Sequence, residues 1–322
     1  MTTPRADLPT SRRFTLERAG TGAWAAIATP GAGALGNAGI IDLGDATIIF
    51  DTMMTLAAAR DLRIAAERLT GRRARYVVNS HHHLDHTMGN IVFDDATIIA
   101  TPQVAPLIAE HTDPLLAMMR ERGEALDVEA RAEAAAVTDP IVRRDMDEQN
   151  DDYLELLHEA HEARSRLPDL RFESRLTLYG ATRHAELITW GGGHTPSDSV
   201  LYLPHERILF AGDLIFHRMH ASMQFGDPVE WLRILGEMEK LSIDTLVPGH
   251  GAVTNHGAIA AQRAYLETVL ALSREAFETG KSADEAAEIS IPAAYRDWGF
   301  ASGFAHTMRS LLAYHQRASE GV

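Results

Sequence analysis

The sequence predicts an α/β protein with a long helical insertion and a helical C-terminal region. Three observations predict it. Strand-length apolar runs alternate with segments of helical period on both sides of the chain's middle; metal-ligating side chains directly follow several of these runs; and between about residues 102 and 170 glycine nearly disappears while Ala, Glu, Arg and Leu take over. With 322 residues the chain is long enough for one large core plus an insertion, and we read residues 1–322 as a single domain.

After a polar, loose start from Met1 to Arg13, Ala38 to Leu43 and Ala46 to Phe50 are β-branched runs around Gly44-Asp45, a tight hairpin. Leu56, Ala59, Leu62, Ala66 and Leu69 recur at helical spacing, and Gly71 ends that helix. Tyr76 to Asn79 reads as a buried strand, and Ala96 to Ala100 as another. Inside the insertion, Leu115, Met118, Met119 and Leu126, then Leu154 and Leu157, keep a helical period. Such a segment is either a solvated bundle packed on the core or a lid or partner surface. β-type patterns return at Arg171 to Tyr179, His184 to Trp190, Ser199 to Leu203 and Ile208 to Ala211, the last two joined by a turn at Pro204-His205-Glu206. A helix over 229–240, a short strand at Thr245 to Val247, a long helix over 258–278 and a mostly helical tail complete the chain, so that about 258–322 is helical. No short-period repeat is present, yet the order hairpin, strand, ligand occurs once on each side of the insertion.

Composition excludes several function classes. A formal net charge of -15 without a long basic run argues against a nucleic-acid surface and against attraction to anionic lipid. Without cysteine there is no disulfide, thiolate nucleophile or thiolate ligand, so any metal must use His, Asp or Glu. The only lysines, Lys240 and Lys281, lie in no motif, and no Gly-x-Ser-x-Gly elbow is present. The N-terminus, studded with Arg5, Arg12, Arg13 and Arg18, lacks the apolar run of a signal peptide, and no stretch approaches a membrane span. The expectation is a cytoplasmic protein acting on a small molecule, with neither nucleic acid nor membrane as partner; a homo-oligomer is compatible with the sequence.

The chemistry concentrates in Asn79 to Asn90, where His81, His83, Asp85 and His86 fall within six residues directly after a strand. One pair of histidines two apart would be weak evidence; four ligand-type side chains on one strand exit predict a metal site. Three later stretches also place a ligand after a strand: Gly191-Gly192-Gly193-His194, Gly212-Asp213 and Pro248-Gly249-His250. Each alone is weak, and together they form a constellation. His82, between two ligands of an extended stretch, should point the opposite way and is left out. Asp51 is either the carboxylate that orients a ligand histidine or a turn residue. Asp198 fixes the loop after His194. His217 or His220 binds substrate or protonates a leaving group if their loop rims the metals; otherwise they are surface histidines.

With these motifs in this order the chain resembles the metallo-β-lactamase superfamily, and especially its glyoxalase II-like branch, over roughly residues 35 to 255 without the insertion. The resemblance implies an αββα sandwich, two mixed sheets face to face with helices outside. It implies two divalent metal ions, usually Zn2+ with Fe or Mn as alternatives: His81, His83 and His194 on the first, Asp85, His86 and His250 on the second, and Asp213 bridging both. It implies a hydrolase in which ions about 3.5–4 Å apart share a bridging hydroxide that attacks an ester, lactone, thioester or amide. Asp85, ligand and orienter of that hydroxide, is the catalytic residue so assigned. The alternative is a mononuclear iron persulfide dioxygenase on the same His-x-His-x-Asp-His frame, which needs fewer ligands. β-Lactam hydrolysis is less favoured, because Asp213 stands where one β-lactamase subclass has cysteine and a bridging aspartate is not the pattern of the others. A glutathione thioester lacks its basic and aromatic recognition set here, and a nuclease its basic groove. A catalytically silent binding protein is hard to reconcile with intact ligands.

Overall fold

The computed structural model describes residues 8–320; residues 1–7 of the expected loose start, and the last two of the C-terminal region, lie outside it. It begins with two strands the sequence reading missed, β1 (Phe14–Gly20) and β2 (Ala23–Ala28). In β1, buried Phe14 and Leu16 alternate with exposed Thr15 and Glu17. Alanine-rich β2 has helical rather than strand propensity, which hides it from inspection. It is a strand because it pairs on both edges, with β1 and with β3 (Ala38–Asp42). The predicted hairpin joins β3 to β4 (Thr47–Phe50) through Gly44, whose φ of 99° suits glycine.

α1 (Leu56–Thr70) starts at Thr55, whose hydroxyl accepts the Ala58 N–H, and stops at left-handed Gly71. β5 (Ala74–Val78) leads through the histidine stretch into the single turn α2 (Leu84–Thr87), and β6 (Thr97–Ala100) follows. The insertion is helical: α3 (Val104–Leu107), a π turn at Ile108–Thr112, α4 (Asp113–Ala136) and α5 (Pro140–Glu159). The β-type stretch from Arg171 divides into β7 (Leu170–Arg171) and β8 (Arg175–Tyr179), which belong to different sheets. Then come β9 (His184–Ile188), β10 (Val200–Leu203), β11 (Ile208–Phe210), α6 (Pro228–Met238), β12 (Thr245–Val247), α7 (Gly257–Glu278), α8 (Ala283–Ala287) and α9 (Ala301–Glu320).

Seven strands form one sheet in sequence order, β1 to β7, and five form the other in the order β12-β11-β10-β9-β8. Side-chain alternation makes four layers from them. In β4, Ile48 and Phe50 join Leu201, Leu203 and Phe210 of the second sheet in a core between the sheets, while Ile49 faces Ala59 and Leu62 of α1. In β10, Val200 and Tyr202 face Trp231 of α6, Leu266 of α7 and Phe304 of α9. Burial on both faces explains why these strands read as continuous apolar runs. The result is an αββα sandwich with a helical C-terminal region.

The insertion is tied to the rest of the chain by α5. Asp145, Asp152 and Glu159 stand seven residues apart, a spacing that returns to the same helical face. Asp145 accepts the Ala301 N–H at the start of α9, Asp152 those of Gly31 and Gly33, and Glu159 those of Leu56 and Ala57 at the start of α1. Two of the three are helix N-termini, where a carboxylate satisfies open N–H groups and opposes the dipole.

Candidate metal centre

Strand direction gathers the ligands. β9, β11 and β12 run the same way, so His194, Asp213 and His250 emerge at one end of their sheet, opposite the end of β5 that delivers His81 to His86. Seven side chains converge there in two groups. His81, His83, His194 and Asp213 form one, and Asp85, His86 and His250 the other, the ligand atoms of each lying within 4.8 Å of one another. Asp213 touches both: Oδ2 lies 3.3 Å from His194 Nε2 and 3.3 Å from His250 Nε2, and Oδ1 is 3.2 Å from His86 Nε2.

Hydrogen bonds around the groups fix which ring nitrogens are free. Asp51 accepts the Ser80 N–H and hydroxyl at 2.7 Å each and the His86 Nδ1–H at 2.9 Å. Because the Ser80 hydroxyl proton goes to Asp51, its oxygen accepts from His81 Nδ1 at 2.9 Å. His194 Nδ1 donates to the Ser222 carbonyl at 3.1 Å. His81 and His194 therefore turn an unprotonated Nε2 inward, and His86 turns its Nε2 inward beside the Asp85 and Asp213 carboxylates. Beneath them, Asn79 and Asn90 exchange side-chain amide hydrogen bonds, and Asn79 and Thr52 both donate to the His86 carbonyl, holding the ligand loop from below. Asp198 accepts the N–H groups of Gly193, His194 and Thr195, so it fixes that loop as expected. Gly249 is required: a Cβ there would fall on Asp213 Oδ1.

These residues fit a cation. His81 Nε2, His86 Nε2 and Asp213 Oδ1 are buried without a hydrogen-bond partner, and His83 turns Nδ1 to within 3.2 Å of His194 Nε2, an arrangement costly unless something positive sits among them. Electrostatics agree. Burial alone would lower His86 and His250, yet Asp85, Asp213 and Asp51 hold His86 well above its ordinary value, and Asp213 with Asp85 lifts His250 to about 9. Conversely, burial disfavours charge on Asp85 and Asp213, and the surrounding histidines still hold both well below the usual carboxylate range. His81, buried and next to other imidazoles, is lowered well below its ordinary value. The site favours positive charge and offers all-N/O ligands, which zinc, iron or manganese would accept.

The groups form the floor of a cavity of about 770 Å³. Its roof comes from the insertion, with His111 of the π turn, Leu115, Met146 and Tyr153, and from Phe300 and His306 beside α9. Tyr153 lines this space although 38% of its surface is exposed, and the Asp85 and Asp152 carboxylates push its phenol pKa upward. Apart from the helical period that includes Leu115, none of these roof residues carries a signal in the local sequence pattern; only the fold brings them above the ligands. His82 belongs to neither ligand group, but it does not point away as expected. The chain leaves the strand at Val78, so strict alternation ends before His82. Its ring packs 5.5 Å from Phe225 and 5.6 Å from His111, lines the cavity, and is kept neutral by burial and by nearby His194, with a pKa of about 3. His220 is no surface histidine either: buried among Tyr265, Trp298 and Phe304, it shares a hydrogen bond with Tyr265 at the cavity edge. His217 is half-buried and does not line the cavity.

Comparison with known proteins bears on the family and the fold. The profile described as Metallo-beta-lactamase superfamily matches residues 31–250. No curated protein matches the chain. Among solved structures, a metallo-beta-lactamase from Pontibacter korlensis superposes with a TM-score of 0.56 at 15% identity, covering 79% of this chain and 99% of that one. The DIM-1 metallo-beta-lactamase gives 0.55 at 15% identity, covering 80% and 98%, and VMB-1 gives 0.57 at 15% identity, covering 80% and 99%. At such identities the superpositions speak for the fold alone. Among the described residues, no helix is long and apolar enough to cross a membrane.

Proposed function

Since the chain belongs to the metallo-β-lactamase superfamily, we propose that it is a metal-dependent hydrolase of the glyoxalase II-like branch, cleaving an ester, lactone, thioester or amide bond of a small molecule with two divalent ions, usually zinc. The observation that carries this reading is Asp213, within 3.3 Å of ligand nitrogens in both groups, so that two incomplete ligand sets share one carboxylate.

Bound there, divalent ions would supply Lewis acidity and lower the pKa of a coordinated water. The chain's own residues do the rest. His81, His83 and His194 would hold one ion, Asp85, His86 and His250 the other, with Asp213 between them. Asp85, held as a carboxylate, can accept a water proton at its second oxygen while Oδ2 stays 3.2 Å from His250 Nε2. Asp51 keeps His86 in the tautomer that leaves Nε2 free. The Tyr153 phenol, protonated at neutral pH, is positioned in the cavity to donate to a developing oxyanion.

The test is metal analysis of the purified protein joined to an assay panel of chromogenic esters, lactones, thioesters, amides and β-lactams. Two metals per chain and turnover of a member of the first four classes are expected. One iron per chain with oxygen consumption on persulfides would replace the hydrolase by the dioxygenase. Metal uptake should also release protons, since His86 and His250 must lose theirs to bind.

A further inference from the structure

We infer that the cavity is built for an uncharged acyl compound and rejects substrates that carry a carboxylate, sulfonate or phosphate away from the scissile bond. The inference rests on the hydrolase reading and names its substrate class.

Above the ligands, the cavity's polar lining consists of amide, hydroxyl and imidazole groups, among them Gln149, Asn150, Tyr153, His111 and His306, with one acid, Glu110. Among the described residues, no lysine or arginine lines it. An arginine enters only the adjoining chamber of about 360 Å³, which shares Gln149, His250 and Phe300 with the main cavity. That arginine, Arg144, is already committed: its Nη2 lies 2.7 Å from Asp145 Oδ1, and its Nε is 3.8 Å from Glu148. With Asp152 on the same wall, the chamber holds three carboxylates to one guanidinium. A remote anionic group would therefore leave water for a cavity that offers no free counter-charge and faces it with acids. An apolar acyl chain meets complementary surface instead. Such repulsion discriminates between substrates without any added attraction for the preferred one.

A near-isosteric pair tests this: 4-nitrophenyl valerate and mono-(4-nitrophenyl) glutarate, which differ by a terminal carboxylate. Both are assayed on the zinc-loaded protein at about pH 8. The expected result is a kcat/KM at least about tenfold higher for the valerate ester. Gln149→Arg, which places an uncommitted cation between the two chambers, should shift the ratio toward the glutarate ester by about tenfold; Glu110→Gln should shift it the same way by a smaller factor without adding bulk. Equal or better turnover of the glutarate ester by the unmodified protein overturns the charge inference and leaves the hydrolase reading intact. Hydrolysis of neither ester, with none of the wider panel turned over, removes the hydrolase reading. The charge inference is then decided by binding of two dyes. Tighter binding of uncharged prodan than of anionic anilinonaphthalene sulfonate supports it, and equal or tighter binding of the sulfonate overturns it.

Discussion

Seven candidate ligand side chains gather beneath the cavity at four strand ends, six of them buried and five of them lining it, whereas its roof is held over them by Asp145, Asp152 and Glu159 of α5 gripping backbone N–H groups elsewhere in the chain. The floor is an electrostatic object, in which unpaired lone pairs and carboxylates call for a cation. The roof is mostly a shape, made of amides, aromatic rings and aliphatic side chains with one acid, Glu110. The difference teaches that the charged groups and the shape above them come from separate parts of the chain. It also bears on the insertion: with three separate anchor points, α5 is fastened over the site and does not merely pack beside it.

The comparison is broken most severely at the floor. Asp213→Asn removes the shared carboxylate and should lower kcat by about a thousandfold or more, with metal content measured by plasma mass spectrometry falling below that of the parent. Gly249→Ala approaches the same loss without changing a ligand, because its methyl occupies the place of Asp213 Oδ1; near-parental activity would show that Asp213 can move freely. Asp51→Asn leaves all seven ligands but disturbs the His86 tautomer, so metal affinity measured by competition with a chelator should fall about 10–100-fold.

Roof variants should behave differently. Burial raises Asp152 from its ordinary value to about 6, although the Gly31 and Gly33 N–H groups oppose the shift. A folded value above the unfolded one means that the folded protein binds this proton more tightly. The stabilisation is therefore full below about pH 4 and is lost as pH rises through about 6. Relative to Asp152→Asn, the parent's unfolding free energy in urea should fall by about 2–3 kcal/mol between pH 4 and pH 7; a constant difference would refute the assignment. The smallest effect is expected from Tyr153→Phe, about a tenfold loss in kcat with metal content unchanged. A loss of metal in this variant would contradict the separation of roof from floor.

Much of the floor was legible in the sequence because its signals are local. His81, His83, Asp85 and His86 lie within one turn of chain, and the glycine-flanked His194, Asp213 and His250 each follow a strand that reads as apolar. Asp51 was legible only as one of two roles, and its contacts with His86 and Ser80 show which partners it has. β2 was not legible, since its alanines become a strand only through neighbours on both edges. Nor was the position of His82, which depends on where β5 stops.

By itself, then, the sequence determined the α/β class, the helical insertion and a dense set of N/O ligands, because periodicity and ligand spacing are written in consecutive residues. Only the tertiary structure decided that the candidate ligands fall into two groups around Asp213, that three carboxylates of α5 fasten the insertion over them, and that no lysine or arginine among the described residues lines the cavity above. Those properties depend on side chains separated by up to about two hundred residues, and whether two such groups meet is set by the packing of sheets and helices.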